Sequence, residues 1–154
     1  MNFSVRRYSG KEPYTNSSLV WGPTYHDMGL VCGVIYPLYH KKGALMSPLD
    51  MITNPFALIE VIHRHRYESV CLNNFLLEHL ANRGIKNGVD PAQYDLSCWK
   101  VMHCGGDYVY PKSVLKFQNF FKASKLPLHR LSSSWGMAEA TCGVAGTSAR
   151  RIHH

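Results

Sequence analysis

The sequence predicts an α/β fold, a parallel-rich β-α-β layered sheet with helices packed over it. Short apolar runs of strand length alternate with longer stretches that carry helical spacing. The runs suit buried strands, as parallel sheets require. A hydrophobic share of 45% against a charged share of 18% is that of a globular domain with a real core.

Residues 1–18 are polar, turn-rich and aperiodic, and are read as a tail or linker. Leu19-Val20-Trp21 is the first strand, ended by Gly22-Pro23-Thr24. Gly29 to Tyr39 is mostly apolar and predicts a buried helix, stopped before Lys41-Lys42-Gly43. Ala44-Leu45-Met46 is the second strand. Asn54-Pro55 pairs a capping residue with proline at the first helical position, and Phe56, Ile59, Ile62 and Arg66 then share a face. Ser69 to Leu72 is a strand, and Asn74 to Arg83 a helix closed by Gly84. Gly84 to Ala92 has loop chemistry. Trp99 to His103 predicts a strand running into Gly105-Gly106, and Pro111 opens a helix with Val114, Phe117 and Phe121 on one side. Leu128 to Leu131 is the last strand, before a turn at Ser132-Ser133-Ser134.

Ligands of such sheets bind at the carboxyl ends of the strands. Three loops stand there: Tyr25 to Gly29, Cys104 to Tyr110, and Ser132 to Thr141.

Composition narrows the class further. The five cysteines are odd in number, scattered and without a C-x-x-C pair, which disfavours a disulfide scaffold or zinc knuckle and fits a cytoplasmic protein. A net charge of +7 is spread along the chain, the pattern of a solvated surface and not of a nucleic-acid footprint. No apolar run has the length of a membrane span. His63 and His65 stand two apart on a helix, about 200° around it, and are poorly placed to chelate one ion. Walker A, G-x-G-x-x-G and G-x-S-x-G signatures are absent.

Three motifs carry a resemblance: Tyr25-His26-Asp27-Met28-Gly29-Leu30, Met46-Ser47-Pro48-Leu49, and Trp135-Gly136-Met137-Ala138-Glu139-Ala140-Thr141. In that order they resemble the fatty-acyl-AMP ligases of the AMP-binding, adenylate-forming superfamily. The likeness runs from about Val20 to about Val144. It implies a partial N-terminal subdomain of an adenylate-forming enzyme: residues 19–144 a partial AMP-binding domain, 145–154 a non-matching tail.

The chemistry implied by the resemblance is attack of a fatty-acid carboxylate on the α-phosphate of ATP, giving an acyl-adenylate and pyrophosphate with the help of Mg²⁺. The acceptor would be an acyl-carrier protein or coenzyme A. Trp135 stands where the family usually has an adenine-stacking tyrosine, and Gly136 and Met137 follow it; a plain buried aromatic is the other reading of Trp135. Glu139 matches the Mg²⁺-binding glutamate, or else is a solvated acid. Gly105, Gly106 and Asp107 resemble the loop on the other side of the adenine slot, or form a plain turn; Tyr108 replaces a usual proline. His26 resembles the histidine near the reacting carboxylate, or is a locally bonded turn residue, with Asp27 orienting its loop. Asn74 and Phe75 resemble the wall of the acyl pocket, or pack the core.

The family's phosphate loop is not recognisable in residues 1–24, nor its ribose aspartate, hinge and catalytic lysine after Thr141. The expectation is an internal fragment, inactive alone. A non-catalytic acyl or nucleotide binding remnant is the alternative, and a regulatory piece that pairs through its sheet edge is the third.

Overall fold

The computed structural model describes residues 15–40 and 42–146. Leu19, Val70, Met102 and Leu131 stand side by side across four neighbouring strands, and this row explains the sheet. In a parallel sheet the helices that return across a face bury its apolar side chains together. The strands are β1 (Ser18–Val20), β2 (Gly43–Leu45), β3 (Ser69–Leu72), β4 (Val101–Cys104), β5 (Leu131–Trp135) and β6 (Ala145–Gly146). Their order is β2-β1-β3-β4-β5-β6; β1 to β5 are parallel, and β6 is antiparallel to β5. The predicted class, a parallel-rich α/β sheet, is the one observed.

The helices are α1 (Asp27–Leu30), running through a π-helical stretch Val31–Ile35 into α2 (Tyr36–His40), then α3 (Pro48–Thr53), α4 (Phe56–His65), α5 (Asn74–Lys86) and α6 (Pro111–Phe120). The last three cover the apolar row. Leu58, Ile59 and Ile62 of α4, Leu76, Leu77 and Leu80 of α5, and Phe117 of α6 are fully buried with Trp99. At the amino edge of this layer Arg66, in a left-handed conformation after α4, donates to the Asp95 carbonyl at 2.9 Å and the Ser97 hydroxyl at 2.8 Å.

Several boundaries differ from expectation. The packed chain starts before Leu19: Thr15, Ser17 and Ser18 are buried, and the Asn16 amide donates to Glu68 at 2.8 Å. Residues 1–14 of the expected tail lie outside the described residues. The helix expected to be buried over Gly29 to Tyr39 begins at Asp27 and buries chiefly Gly29 and Gly33, leaving Leu30, Val34 and Leu38 exposed. A Cβ at Gly33 would come within 2.3 Å of the Leu45 side chain, so the helix touches the sheet through backbone and turns its leucines outward.

The unforeseen α3 starts where Ser47 accepts the Leu49 amide ahead of Pro48, and Asn54 closes α3 instead of capping α4. Gly84 does not end α5. It is buried inside the helix, where a Cβ would meet the Phe120 ring. Leu128–Arg130 is a 3-10 turn, and the three serines read as a turn form β5 itself. Ala145 and Gly146, placed in the tail by the sequence, form β6; residues 147–154 lie outside the described residues.

Candidate functional site

A parallel sheet sends every strand's carboxyl end to the same edge, so the segments after β1, β3, β4 and β5 share one side of the molecule. The loops named after β1 and β4 are there, and of the segment Ser132 to Thr141 the part after Trp135 is, its first four residues being in strand β5.

The loop after β4 and the end of β5 are in contact. The Gly105 amide donates to the Leu72 carbonyl at 3.1 Å, extending the ladder, and a Cβ at Gly105 would lie 2.4 Å from the Ser134 carbonyl oxygen. Only glycine permits that approach. Gly106 is exposed, and the exposed Asp107 accepts the Tyr108 amide at 2.7 Å. Trp135, the next residue after Ser134, is 59% exposed, so the ordinary buried aromatic is not what the structure shows. Its carbonyl accepts the Val144 amide at 2.9 Å, closing a hairpin over residues 136–144. Inside this hairpin a Cβ at Gly136 would overlap the Cys142 carbonyl, Met137 is partly exposed, and Ala138–Ala140 makes one 3-10 turn carrying an exposed Glu139. Among the described residues no ion pair engages Glu139.

His26 caps α1. Asp27 Oδ1 accepts the Met28 amide at 2.6 Å and lies 2.7 Å from His26 Nδ1. His26 Nδ1 is also 3.2 Å from the Met28 amide, the capping contact, so unprotonated it accepts that amide and protonated it donates to the carboxylate instead; either way Nε2 is the other ring position for a ligand. The imidazole is well exposed.

Asn74 and Phe75 diverge. Asn74 is buried, and its side-chain carbonyl accepts the Tyr110 amide at 2.9 Å, tying the β4 loop to the start of α5. Phe75 is 51% exposed and stacks on His79 with ring centroids 5.1 Å apart. His79 Nε2 is 3.3 Å from the Ile52 carbonyl, which joins α5 to α3.

Two features escaped the sequence reading. The Cys32 thiol, with Cys142 acting to lower it, is pushed up by Cys71 and by burial; the Cys142 thiol is pushed up by Cys32 and by burial, and the carboxylate of Asp27 adds to both. These residues stand on three distant elements, so spacing carries no signal for them. His103 stands between Cys71 and Ser132 in the register of β3, β4 and β5, and burial pushes its imidazole below the ordinary value. Among the described residues no group of three or more His, Cys, Asp or Glu is arranged to hold a metal ion, and no helix is long and apolar enough to cross a membrane.

The family model for AMP-binding enzymes matches residues 2–153, across both segments set aside as tails. The chain is 33% identical over 130 residues to the long-chain-fatty-acid–AMP ligase FadD23 of Mycobacterium tuberculosis, covering 84% of this chain and 22% of that protein. It is also 33% identical over 135 residues to the medium-chain-fatty-acid–[acyl-carrier-protein] ligase JamA of Moorena producens, covering 86% of this chain and 22% of that one. A fatty acid AMP ligase of Legionella pneumophila superposes with a TM-score of 0.77 at 27% identity, over 87% of this chain and 23% of that structure. The chain thus spans under a quarter of the length of these relatives.

Proposed function

The chain belongs to the AMP-binding enzyme family, and on that premise we propose that it is part of an ATP-dependent ligase that activates fatty acids as acyl-adenylates. The observation that carries this reading is the Gly105–Ser134 contact. It sets an exposed, glycine-bearing loop against an exposed indole at the carboxyl edge of a parallel sheet. A flat base fits between such walls: glycine backbone admits it closely, and the Trp135 ring offers a stacking face.

Within this reading Gly105, Gly106 and Asp107 form one side of the adenine slot, and Trp135, Gly136 and Met137 the other. Glu139 is an exposed hard-oxygen donor without an ion pair among the described residues, which suits Mg²⁺ held by one carboxylate and the ligand's phosphates. The ion, when bound, would offset the charge on the phosphate oxygens. His26 orients the incoming carboxylate, its ring steadied by Asp27. Phe75 contributes apolar surface for the acyl chain, and Asn74 positions the β4 loop. The acceptor of the acyl group is proposed to be an acyl-carrier protein, as the name of the JamA relative states for that protein, or coenzyme A. The proposed location is the cytoplasm.

Alone, this chain is proposed to bind without turning over. Electrostatic catalysis of phosphoryl chemistry needs donors in a site that excludes water, and both Trp135 and Glu139 lie open to solvent. Acid-dependent exchange of pyrophosphate into ATP is therefore expected to be undetectable with the pure chain, and a clear signal would overturn this. The binding reading is tested with a non-hydrolysable acyl-adenylate analogue in calorimetry. Trp135→Ala should weaken binding by about tenfold, the scale of one aromatic stack. Equal binding by the variant would remove the indole from the site.

A further inference from the structure

The helices that cover the apolar row have an outer surface that neither the core nor the proposed ligase chemistry uses. No acid stands between Asp107 and Glu139 in the sequence, while Lys112, Lys116, Lys122, Lys125 and Arg130 do. The fold gathers part of this charge. Lys112, Leu115, Lys116 and Asn119 recur at three- and four-residue steps, so they share one side of α6, and all four are exposed. Glu78, Asn82, Ile85 and Lys86 do the same on α5. The two sides adjoin, because Lys116 Nζ donates to the Asn82 side-chain carbonyl and the Ser113 hydroxyl donates to the Glu78 carboxylate. The exposed Lys122 follows on the 3-10 turn Phe121–Ser124.

Two properties set this surface apart. Among the described residues none of Lys86, Lys112, Lys116 and Lys122 is in an ion pair, whereas Arg64, Arg66, Lys100 and Lys125 each meet a carboxylate. The nearby acids are already engaged: Glu78 accepts the Ser113 hydroxyl, and Asp90, in the loop after α5, accepts the Ala92 amide at 2.9 Å. The second property is apolar. Ile85 is 60% and Leu115 56% exposed among these lysines.

We infer that the outer face of α5 and α6 docks on an anionic lipid bilayer. Headgroup charge would meet the unpaired ammonium groups, while Ile85 and Leu115 would enter the boundary between headgroups and acyl chains. The chemistry favours a bilayer over other anions. Phe117 and Phe121 are buried beneath the face, so they offer no ring on which a nucleic-acid base could stack. The exposed cations are all lysines, point charges on flexible stems that suit mobile headgroups; the fixed fork with which arginine pairs protein carboxylates is not among them. The inference does not depend on the nucleotide reading.

The test sediments the purified full chain with vesicles of phosphatidylcholine alone, or with about one-third phosphatidylglycerol, and measures the bound fraction. Binding is expected on the anionic vesicles only, and should be lost in high salt, which screens the headgroups. The triple variant Lys112→Gln, Lys116→Gln, Lys122→Gln should lower affinity about a hundredfold, near fivefold for each lysine. The triple variant Arg64→Gln, Lys100→Gln, Lys125→Gln removes the same charge from ion-paired positions and should lower it less than about threefold. Ile85→Ser with Leu115→Ser should weaken binding about tenfold and leave its salt dependence unchanged. Circular dichroism checks that each variant is folded, and the salt series on the parent chain needs no variant at all. Equal binding to neutral vesicles, binding that ignores salt, or equal losses in the two triple variants would each overturn the inference. Complete displacement from the vesicles by soluble polyglutamate would overturn it too, in favour of an acidic protein partner.

Discussion

The two faces of the sheet are built from different chemistry. One carries Leu19, Val70, Leu72, Met102 and Cys104, all sealed under α4, α5 and α6. The other carries Ser18, Ser69, Cys71, His103 and Ser132 in the alternate positions of the same strands. Strand alternation makes this division unavoidable: each residue added to a strand changes face. The first face is a core that can stabilise the fold. The second holds the polar, titratable and thiol groups, and the helix above it meets it through glycine while exposing leucine. Stability is concentrated on the first face and chemistry on the second and at the carboxyl edge, so damage to the two should be separable.

The largest separation is expected from Phe117→Ala. The ring is fully buried, edge-on to Trp99 at 6.3 Å and against Phe121 at 4.8 Å between centroids. Removing it should cost about 3–5 kcal/mol of unfolding free energy in urea titration, the range for deleting a core aromatic. A loss below about 1 kcal/mol would mean that this face is not the core, and the contrast between faces would collapse.

The same contrast decides how much the sequence revealed. Elements of the sealed face were legible: Pro111 with Val114, Phe117 and Phe121 announces α6, and Ser69 to Leu72 is the strand observed. Burial on that face leaves a periodic apolar trace. Elements facing the other way were misread, since polarity there is not a sign of solvent. Ser132 to Ser134 looks like a turn and is a strand in which Ser132 stands beside His103; on the sealed side the one misreading is Gly84, which looks like a stop and makes room for Phe120 between α5 and α6. In the candidate site, the loops follow from the parallel-sheet rule and the residue roles from family likeness. The burial of His103 on the second face follows from neither, because its register between Cys71 and Ser132 is set only by the folded sheet.

Acid should act on the two faces in different windows. His103 is a base whose folded pKa is lowered by burial from an ordinary 6.5. The unfolded chain then takes up the proton first, so this contribution is full above that value and is lost as pH falls through it. Asp95, beside the sealed face, has its carboxyl held below the ordinary 3.8, chiefly by the Ser97 hydroxyl and amide and then by Lys125. Its contribution is present above that value and is lost as pH falls toward the lower folded value. Urea midpoints measured across pH should show two declines. His103→Gln should flatten only the one near neutral pH, and Asp95→Asn only the acidic one; if either variant flattens both, the two groups are coupled through the sheet.

The smallest effect sharpens the comparison most. Leu38 is 79% exposed on α2, one turn beyond Val34 and two beyond Leu30 along the same outward ridge. An exposed leucine has little buried area to lose, so Leu38→Ala should change unfolding free energy by no more than about 0.5 kcal/mol. Paired with Phe117→Ala in one urea series, it sets the floor against which the core loss is read. A cost of about 2 kcal/mol or more would require the ridge to be covered in solution. The second face would then have a hydrophobic layer of its own, and the division of labour between the faces would be wrong.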